Sequence, residues 1–408
     1  MSHDIFLLNI SGQDKPGLTA ALTGALSDYG AKILDIGQAN IHETLSLGIL
    51  FQIPAGEKSA GVLKDLLFKS YELDIQVKFS PISNEDYENW VNLQGKDRYI
   101  ITLLGEQLTA QQISAVTDVI SINGLNIDSI KRLTGRTSLI HQDEYKRASI
   151  QLSIRGKIGN KEQLTESFMK ISEQMDLDIA FQEDNMFRRN RRLVCFDMDS
   201  TLIQTEVIDE LADLAGVGDE VRAITESAMR GELDFSESFK KRMKLLKGLK
   251  ESTLKEVAQQ LPITKGARRL IETLRSYGYK TAILSGGFTY FGNYLKEELG
   301  MDYVYANQLE IKNGELTGNY IGEIVDGSKK AEYLKEIAQK EGIDIAQTIA
   351  VGDGANDLPM LNLAGLGIAF HAKPKVQEDA QSAINSIGLD GVLYFLGFHD
   401  RHIDLMNP

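Results

Sequence analysis

Two aspartates follow a short apolar run near the middle of the chain. Residues 193–199 read LVCFDMD, so Asp197 and Asp199 flank a methionine where a buried strand should end. Alternate side chains of a strand point the same way, so both carboxylates are expected to face one crevice. Two close like charges need a counter-charge, and Mg²⁺ favours oxygen ligands. The pair therefore indicates either a metal-bound nucleophile with an acid/base partner for phosphoryl chemistry, or simply a cap for the following helix.

A second group of oxygen-bearing side chains follows another apolar run. The segment VGDGANDLPM at 351–360 places Asp353, Asn356 and Asp357 within five residues, and its glycines permit a tight turn. This spacing is typical of half of a magnesium site. An Asx-rich turn that caps the next helix is the structural alternative.

Two further features suit a phosphate group. The segment LSGG at 284–287 ends a predicted strand with Ser285 and Gly286, whose hydroxyl and backbone N–H groups could bind phosphate oxygens, although Ser-Gly-Gly also forms ordinary turns. Lys330 in GSKKAEYL lies at a predicted helix start, where its charge could neutralise phosphate, but a lysine there is usually solvated and Lys329 is a rival.

These residues need a scaffold that brings several strand ends together. The apolar runs LVCF (193–196), TAILS (281–285) and TIAVGD (348–353) predict buried parallel strands separated by helices. Ligands of such open sheets collect beyond the carboxyl ends of the strands, where the polar groups lie. We therefore expect a doubly wound, Rossmann-like α/β fold, with a helical insertion at about 206–262 after its first strand.

The N-terminal part has a different pattern. Residues 4–80 alternate strands and helices in the order βαββαβ, and the same order recurs from Tyr99, which indicates a duplicated ferredoxin-like α+β unit. The expected boundaries are 1–82 for the first unit, 83–98 for a polar linker, 99–184 for the second unit and 185–408 for the α/β domain. The arginine pairs at 183–192 are interpreted as a solvated linker and not as an RNA-binding patch.

The four motifs together resemble a known superfamily. DMDST at 197–201, SGG at 285–287, Lys330 and GDGAND at 352–357 are similar, in order and spacing, to the motifs of the haloacid dehalogenase (HAD) superfamily. The resemblance covers roughly residues 193–397. It implies that Asp197 is the phosphorylated nucleophile and that Asp199 is the general acid/base.

The same resemblance implies a set of ligands. Mg²⁺ would be held by the Asp197 carboxylate, the backbone carbonyl of Asp199 and Asp353, with Asp357 supporting the metal. The phosphoryl group would be bound by Ser285, Gly286 and Lys330, and Asn356 would assist in binding the phosphate or the substrate.

Residues of the helical insertion point to the substrate. The motifs most resemble the branch of the superfamily that hydrolyses O-phosphoserine, in which a Glu binds the ammonium and an Arg of the cap binds the carboxylate. These positions fall on Glu206 and Arg242, with Met229 and Phe235 at the matching apolar positions. An Arg can clamp a carboxylate bidentately. Without the resemblance, Arg242 would be expected to be solvated and Glu206 to be an ordinary acid at a helix start.

The duplicated units resemble ACT domains, which commonly sense amino acids. The first unit carries SGQDKPGLTAAL at 11–22, where Gly17 could let a ligand approach the backbone and Asp14 could cap a helix. The second unit has GEQLTAQQ at 105–112 instead, and is expected to be structural or dimerising. An amino-acid effector and a homodimer are both expected, and for the first unit sensing and a purely dimerising role remain open.

Composition excludes several classes of function. Asp and Glu number 58 against 44 Lys and Arg, a net charge of −14 that argues against nucleic-acid or anionic-membrane binding. The single cysteine, Cys195, excludes an intrachain disulfide. No signal peptide or membrane span is evident, so a cytoplasmic enzyme is expected. Two rival functions remain: phosphoryl transfer to another alcohol or from another small ester, and an amino-acid sensor whose catalytic domain is retired.

Overall fold

The structure, a computed structural model, describes residues 3–92, 97–136, 147–230 and 232–403. The chain divides into two compact units, residues 1–96 and residues 97–408. Each unit is described separately below.

The first unit is a four-stranded antiparallel sheet with helices packed on it. Its elements, in chain order, are β1 (His3–Gln13), α1 (Leu18–Asp28), β2 (Lys32–Ile41), β3 (Thr44–Pro54), α2 (Glu57–Leu73), β4 (Ile75–Ile82) and α3 (Asn84–Asn92). The strands lie in the order β2-β3-β1-β4. Alternate residues of β3 from Leu45 to Ile53 are buried, and they form one core with the apolar faces of α1 and α2. This alternation is the period-2 pattern of a sheet with one covered face.

Two details of this unit differ from the sequence-based expectations. Asp14 does not cap α1: the helix begins after Gly17, which has φ +90° and no side-chain cap, and Asp14 instead accepts a hydrogen bond from Asn40. The predicted linker contains α3, because Ser83 accepts a hydrogen bond from the N–H of Asp86 at 3.0 Å and so caps a helical turn.

The second unit begins with another copy of the same arrangement. Its first elements are β5 (Arg98–Gly105), α4 (Ala110–Ile122), β6 (Asn126–Arg132), β7 (Ala148–Arg155), α5 (Lys161–Met175) and β8 (Asp178–Glu183). The order β8-β5-β7-β6 repeats the order β4-β1-β3-β2 of the first unit. The duplication of one α+β fold is therefore confirmed.

The predicted doubly wound α/β fold is confirmed in the rest of the unit. After the short helix α6 (Met186–Arg189), the strands are β9 (Leu193–Phe196), β10 (Lys280–Phe288), β11 (Tyr303–Lys312), β12 (Glu315–Ile321), β13 (Thr348–Gly352), β14 (Leu366–Phe370) and β15 (Ser382–Ile384). Strand β9 lies between β10 and β13, parallel to both. All four residues of β9 are buried, as the run LVCF predicts.

Helices cover this sheet and form the insertion. Four helices follow β9 directly: α7 (Val207–Leu214), α8 (Gly218–Met229), α9 (Phe235–Leu245) and α10 (Glu251–Gln260). The others are α11 (Ala267–Ser276), α12 (Thr289–Leu299), α13 (Gly327–Lys340), α14 (Leu358–Leu363), α15 (Pro374–Asp379), α16 (Val392–Phe395) and α17 (Asp400–Ile403). Among the described residues, no helix combines the length and the apolar character needed to cross a bilayer.

The second α+β copy and the α/β core share one sheet. Strand β8 pairs with β15 through Ser382 and Ala180, which gives an eleven-stranded order β12-β11-β10-β9-β13-β14-β15-β8-β5-β7-β6. The buried side chain of Asp178 anchors this junction: it accepts hydrogen bonds from the backbone N–H of Asn385 at 2.7 Å and from the hydroxyl of Ser386 at 2.6 Å. Burial nevertheless raises the pKa of Asp178 to about 6.

This junction is expected to make stability depend on pH. The pKa of Asp178 rises from 3.8 to about 6 on folding, so the folded state binds the proton more tightly and the free energy of unfolding falls as the pH rises through that window. In urea unfolding, the free energy of unfolding of the wild type relative to that of Asp178→Asn should fall by about 2 kcal/mol between about pH 4 and about pH 7. The matched variant Asp118→Asn, at an exposed position of α4, is the control for the substitution itself. A constant difference for Asp178→Asn would contradict the prediction.

Candidate active site

The backbone after β9 delivers the first two acids to the carboxyl end of the sheet. The N–H of Asp197 donates to the carbonyl of Val351 at 2.9 Å, so this residue stays in line with β13. Ser200 then adopts a left-handed φ of +56°, and its N–H donates to Thr205, which turns the chain towards α7. Met198 is fully buried, so the polar residues on either side of it are held by packing.

Three carboxylates from two strand ends meet at this edge. Oxygens of Asp197, Asp353 and Asp357 lie within 4.8 Å of one another. The ammonium of Lys330, from the first turn of α13, lies 2.9 Å from Oδ1 of Asp197 and 2.6 Å from Oδ1 of Asp357. Lys330 is fully buried, and it is therefore the counter-charge to two buried acids. Lys329, the rival on sequence alone, instead pairs with Glu323 and Glu332.

The electrostatics of this cluster favour an additional cation. Burial raises the pKa of Asp197 well above its usual range, the neighbouring Asp357 raises it further, and Lys330 opposes both. Burial and the charge of Asp357 also raise the pKa of Asp353 to about 7, although a 3.0 Å hydrogen bond from the Thr201 hydroxyl lowers it. Burial disfavours the charge on Lys330, but its two carboxylate partners outweigh burial and raise its pKa. Three carboxylates around one ammonium thus fit a hard divalent cation, whose preferred ligands are oxygens.

Asp199 has different surroundings from Asp197. Its Oδ1 accepts a hydrogen bond from the N–H of Val207 at 2.9 Å, and its Oδ2 lies 3.5 Å from the hydroxyl of Ser285. Burial raises the pKa of Asp199 to about 7, and the charge of Glu206 contributes, while the hydrogen bond from Val207 opposes them. A carboxyl with this pKa can both donate and accept a proton near neutral pH.

The SGG turn packs tightly against these acids. The hydroxyl of the buried Ser285 accepts a hydrogen bond from the N–H of Gly287 at 2.8 Å. A Cβ on Gly287 would lie 2.5 Å from Oδ2 of Asp199, and a Cβ on Gly286 would lie 2.9 Å from the ring of Phe235. Neither glycine can therefore carry a side chain without moving a residue of the site.

Asn307 holds this turn and was missed from the sequence. Its amide nitrogen donates to the carbonyl of Gly286 at 2.7 Å, and its amide oxygen accepts from the N–H of Val325 at 2.8 Å. The side chain is only 1% exposed. The one available signal was a polar amide within the apolar run YVYANQL of β11.

The insertion brings an acid and a cation towards the same region. Glu206 accepts a hydrogen bond from the hydroxyl of Ser200 at 2.9 Å. Burial lowers the pKa of Arg242, and the charges of Glu206, Asp209 and Asp199 oppose this shift. Its Nε is shielded from solvent and has no hydrogen-bond partner among the described residues. A half-buried cation with an unused donor is suited to an anionic ligand.

Three further residues predicted from the sequence, Phe235, Asn356 and Met229, lie at the following positions. Phe235 opens α9 and stacks on Phe239 with ring centroids 6.4 Å apart. The backbone carbonyl of Asn356 packs against Gly327 at the start of α13, which joins the GDGAND loop to the helix of Lys330. Met229 ends α8, but its side chain lies outside the described residues.

Known families match three stretches of the chain. Residues 4–80 and residues 98–182 each match the ACT domain, and residues 194–362 match the haloacid dehalogenase-like hydrolases. The chain is 39% identical to a phosphoserine phosphatase of Streptomyces coelicolor over 398 residues, which cover 98% of this chain and 93% of that protein. It is 37% identical to a phosphoserine phosphatase of Mycobacterium tuberculosis over 394 residues, which cover 96% and 92%.

Solved structures show the same fold. An unliganded probable phosphoserine phosphatase from Vibrio cholerae aligns with a TM-score of 0.58 at 39% identity, over 75% of this chain and 87% of that one. A HAD family hydrolase from Salmonella enterica serovar Typhi aligns with a TM-score of 0.62 at 32% identity, over 73% and 98%. The similarities therefore extend beyond the motifs to the α+β units that precede them.

Proposed function

Because the chain belongs to the phosphoserine phosphatases, haloacid dehalogenase-like hydrolases that here carry two ACT domains, we propose that it hydrolyses O-phospho-L-serine through an aspartyl-phosphate. One observation carries the mechanism. The buried carboxylate of Asp197 has Lys330 and the N–H of Met198 on the same oxygen, Oδ1, at 2.9 and 2.7 Å. Because Oδ1 is engaged by two donors, Oδ2 is the proposed attacking oxygen.

The proposed chemistry consists of two displacements at phosphorus. In the first, Oδ2 of Asp197 bonds to phosphorus, the bond from phosphorus to the seryl oxygen breaks, and Asp199 gives its proton to that oxygen. In the second, water attacks phosphorus, the bond to Asp197 breaks, and Asp199 takes the proton from water. A pKa of Asp199 near 7, raised by burial and by Glu206, suits both roles.

We propose the charge-neutralising groups from the family resemblance, and the acidic cluster supports the choice. Asp197, Asp353 and the backbone carbonyl of Asp199 would hold Mg²⁺, with Asp357 in support, and the ion would neutralise phosphoryl charge when bound. Ser285, the N–H of Gly286, Lys330 and Asn356 are proposed to bind the phosphoryl oxygens. Lys330 contacts the Asp197 carboxylate. Its ammonium can therefore stabilise the negative charge of this carboxylate before attack and that of the phosphoryl group during transfer.

The serine part of the substrate is assigned to residues of the insertion. Glu206 is proposed to bind the ammonium and Arg242 the carboxylate, with Phe235 and Met229 providing apolar contacts. The charge of Glu206 acts on Arg242, and opposite charges on these two residues suit the ammonium and the carboxylate of a zwitterion.

Arg242→Ala is expected to separate substrate binding from phosphoryl chemistry. The variant should lower kcat/KM for phosphoserine by about a hundredfold, because a bidentate contact to the carboxylate is lost. It should change kcat/KM for O-phosphoethanolamine, which lacks the carboxylate, by less than about threefold. Lys241→Ala, at the exposed neighbouring position of α9, is the matched control and should leave both values unchanged. Equal losses on the two esters would show that Arg242 is not the carboxylate ligand.

The substrate assignment is tested by phosphate release from a panel of small phosphomonoesters in the presence of Mg²⁺. Phosphoserine should give the highest kcat/KM, consistent with the final step of serine biosynthesis as the proposed role. Added acceptor alcohols such as homoserine should not divert the phosphoryl group. A preferred ester without an amino-acid group, or phosphorylation of the acceptor, would contradict the proposal.

We further propose an amino-acid effector and a homodimer for the ACT domains. The loop before α1 supports the first of these, because Gly17 has a left-handed φ of +90° and leaves the helix start without a side-chain cap. Phosphate release measured with increasing L-serine, alongside light scattering, tests both proposals.

A further inference from the structure

A cavity of ≈870 Å³ lies within the second unit, away from the acidic cluster. Helix α5 of the second ACT domain forms one wall, and α15 with the residues that follow it forms another. The segment between β8 and β9 closes the base with Arg188 and Arg191. The cavity shares no lining residue with the proposed active site, and its size is within the range of small-molecule sites.

The two arginines at the base lack counter-charges of their own. Arg191 is only 4% exposed; its Nη2 donates to the carbonyl of Gly365 at 3.2 Å, but its Nε and Nη1 have no partner among the described residues. In Arg188, Nε and Nη2 are likewise shielded and unpaired. Asp184, the acid whose charge acts on Arg188, is already bound by Arg189 through two nitrogens at 2.8 to 3.1 Å.

The charges of these two groups act on each other. Burial lowers the pKa of Arg191 to about 9, and the positive charge of Arg188 contributes to this shift. Charged groups are rarely buried without a partner, because nothing then compensates for the free energy lost when the charge leaves water. An anion between the two guanidinium groups would supply the missing acceptors.

The same cavity holds a buried acceptor. Gln182 is 5% exposed, and its Nε2 donates to the carbonyl of Phe395 at 2.9 Å. This bond identifies the amide nitrogen, so the other amide atom is the acceptor Oε1, which has no donor among the described residues. An ammonium group would satisfy it.

The rim of the cavity selects against highly charged anions. Lys161 pairs with Glu183 at 2.8 Å and Lys170 pairs with Glu166 at 2.6 Å, so the rim lysines are already neutralised. Further acids line the cavity, including Glu162, Glu173 and Glu378, and they would repel a polyanion. Its apolar surface comes from side chains such as Met169, Phe181 and Phe187.

We propose that this cavity binds a small zwitterion with an apolar body, its carboxylate at Arg188 and Arg191 and its ammonium at Gln182. Since the arginine donors and Oε1 of Gln182 are all covered by protein atoms, binding entails a shift of these three side chains towards the ligand. The site is distinct from the phosphoserine site, and its failure would leave the proposed phosphatase function untouched.

Calorimetric titration of the full chain with three matched probes tests the proposal. L-Phenylalanine carries both charges, 3-phenylpropionate carries only the carboxylate, and phenethylamine carries only the ammonium. Affinity should fall in that order, by at least about tenfold between the first and the last. The proposal would be overturned if none of the three probes gave a binding heat, or if phenethylamine bound most tightly.

Variants locate the binding. Arg188→Met and Arg191→Met should each weaken L-phenylalanine binding at least about tenfold, while Lys170→Met, which removes the same charge from the rim, should change it less than about twofold. Thr165→Trp fills the cavity from α5 without touching a buried charge, because the Thr165 hydroxyl bonds only within its own helix, to Lys161. It should abolish binding even if the arginine variants do not fold. Unchanged binding in Thr165→Trp would place the ligand elsewhere.

Discussion

Asp197→Asn is expected to release phosphate from phosphoserine at least about four orders of magnitude more slowly than the wild type, while its fold is retained. An amide oxygen is a poor nucleophile and cannot form the acyl-phosphate on which the proposed turnover depends. The fold should survive, because an amide oxygen can still accept the hydrogen bonds that Oδ1 receives from Met198 and Lys330. The loss should therefore appear in kcat and not in the circular dichroism spectrum.

Asp128→Asn is a suitable control for this variant. Asp128 lies in the second ACT domain, where its carboxylate pairs with Arg155 at 3.1 Å, and it is not part of the acidic cluster. This control should keep wild-type turnover. Appreciable residual activity in Asp197→Asn, after exclusion of deamidation by mass spectrometry, would refute the nucleophile assignment.

Lys330→Met is expected to have the second largest effect, on both turnover and stability. The substitution keeps a long side chain but leaves Asp197 and Asp357 without their buried counter-charge. In EDTA, the free energy of unfolding should fall by about 3 kcal/mol, as when one partner of a buried ion pair is removed. With Mg²⁺, kcat should fall by about a thousandfold, because a cation that stabilises the transferring phosphoryl group is lost.

The neighbouring lysine provides a matched comparison. Lys329→Met removes an identical charge one residue away, where the ammonium pairs with Glu323 at 2.8 Å and Glu332 at 3.0 Å near the surface. Its effects on kcat and on unfolding should be small, because such exposed pairs contribute little. Equal losses in the two variants would show that the effect is general charge balance and not a specific contact to Asp197.

The strand-end residues were predictable because parallel sheets impose their position. LVCF, TAILS and TIAVG are continuous apolar runs, and the polar groups directly after such runs must meet at one edge of the sheet. The choice between Lys329 and Lys330 was not predictable from the residues alone. It depends on which face of α13 turns towards β9 and β13, and two adjacent lysines at a helix start carry no signal for that.

Other features depend on contacts between distant parts of the chain. The pairing of β8 with β15 joins residues about 200 positions apart, and neither short strand carries a pattern that specifies its partner. Asn307 likewise reaches the SGG turn from a neighbouring strand. The cavity above Arg188 and Arg191 arises at this same junction, so a segment that resembles a solvated linker in sequence contains one buried cation, Arg191, and one partly buried cation, Arg188.

Covalent trapping tests the central claim most directly. The wild-type protein would be mixed with ³²P-labelled phosphoserine and Mg²⁺, quenched in acid within milliseconds and digested, and the labelled peptide would be identified. The account predicts an acid-stable, hydroxylamine-sensitive label on Asp197, absent from Asp197→Asn, that forms and decays at rates compatible with turnover. Release of labelled phosphate without any labelled protein, or a label on another residue, would contradict it.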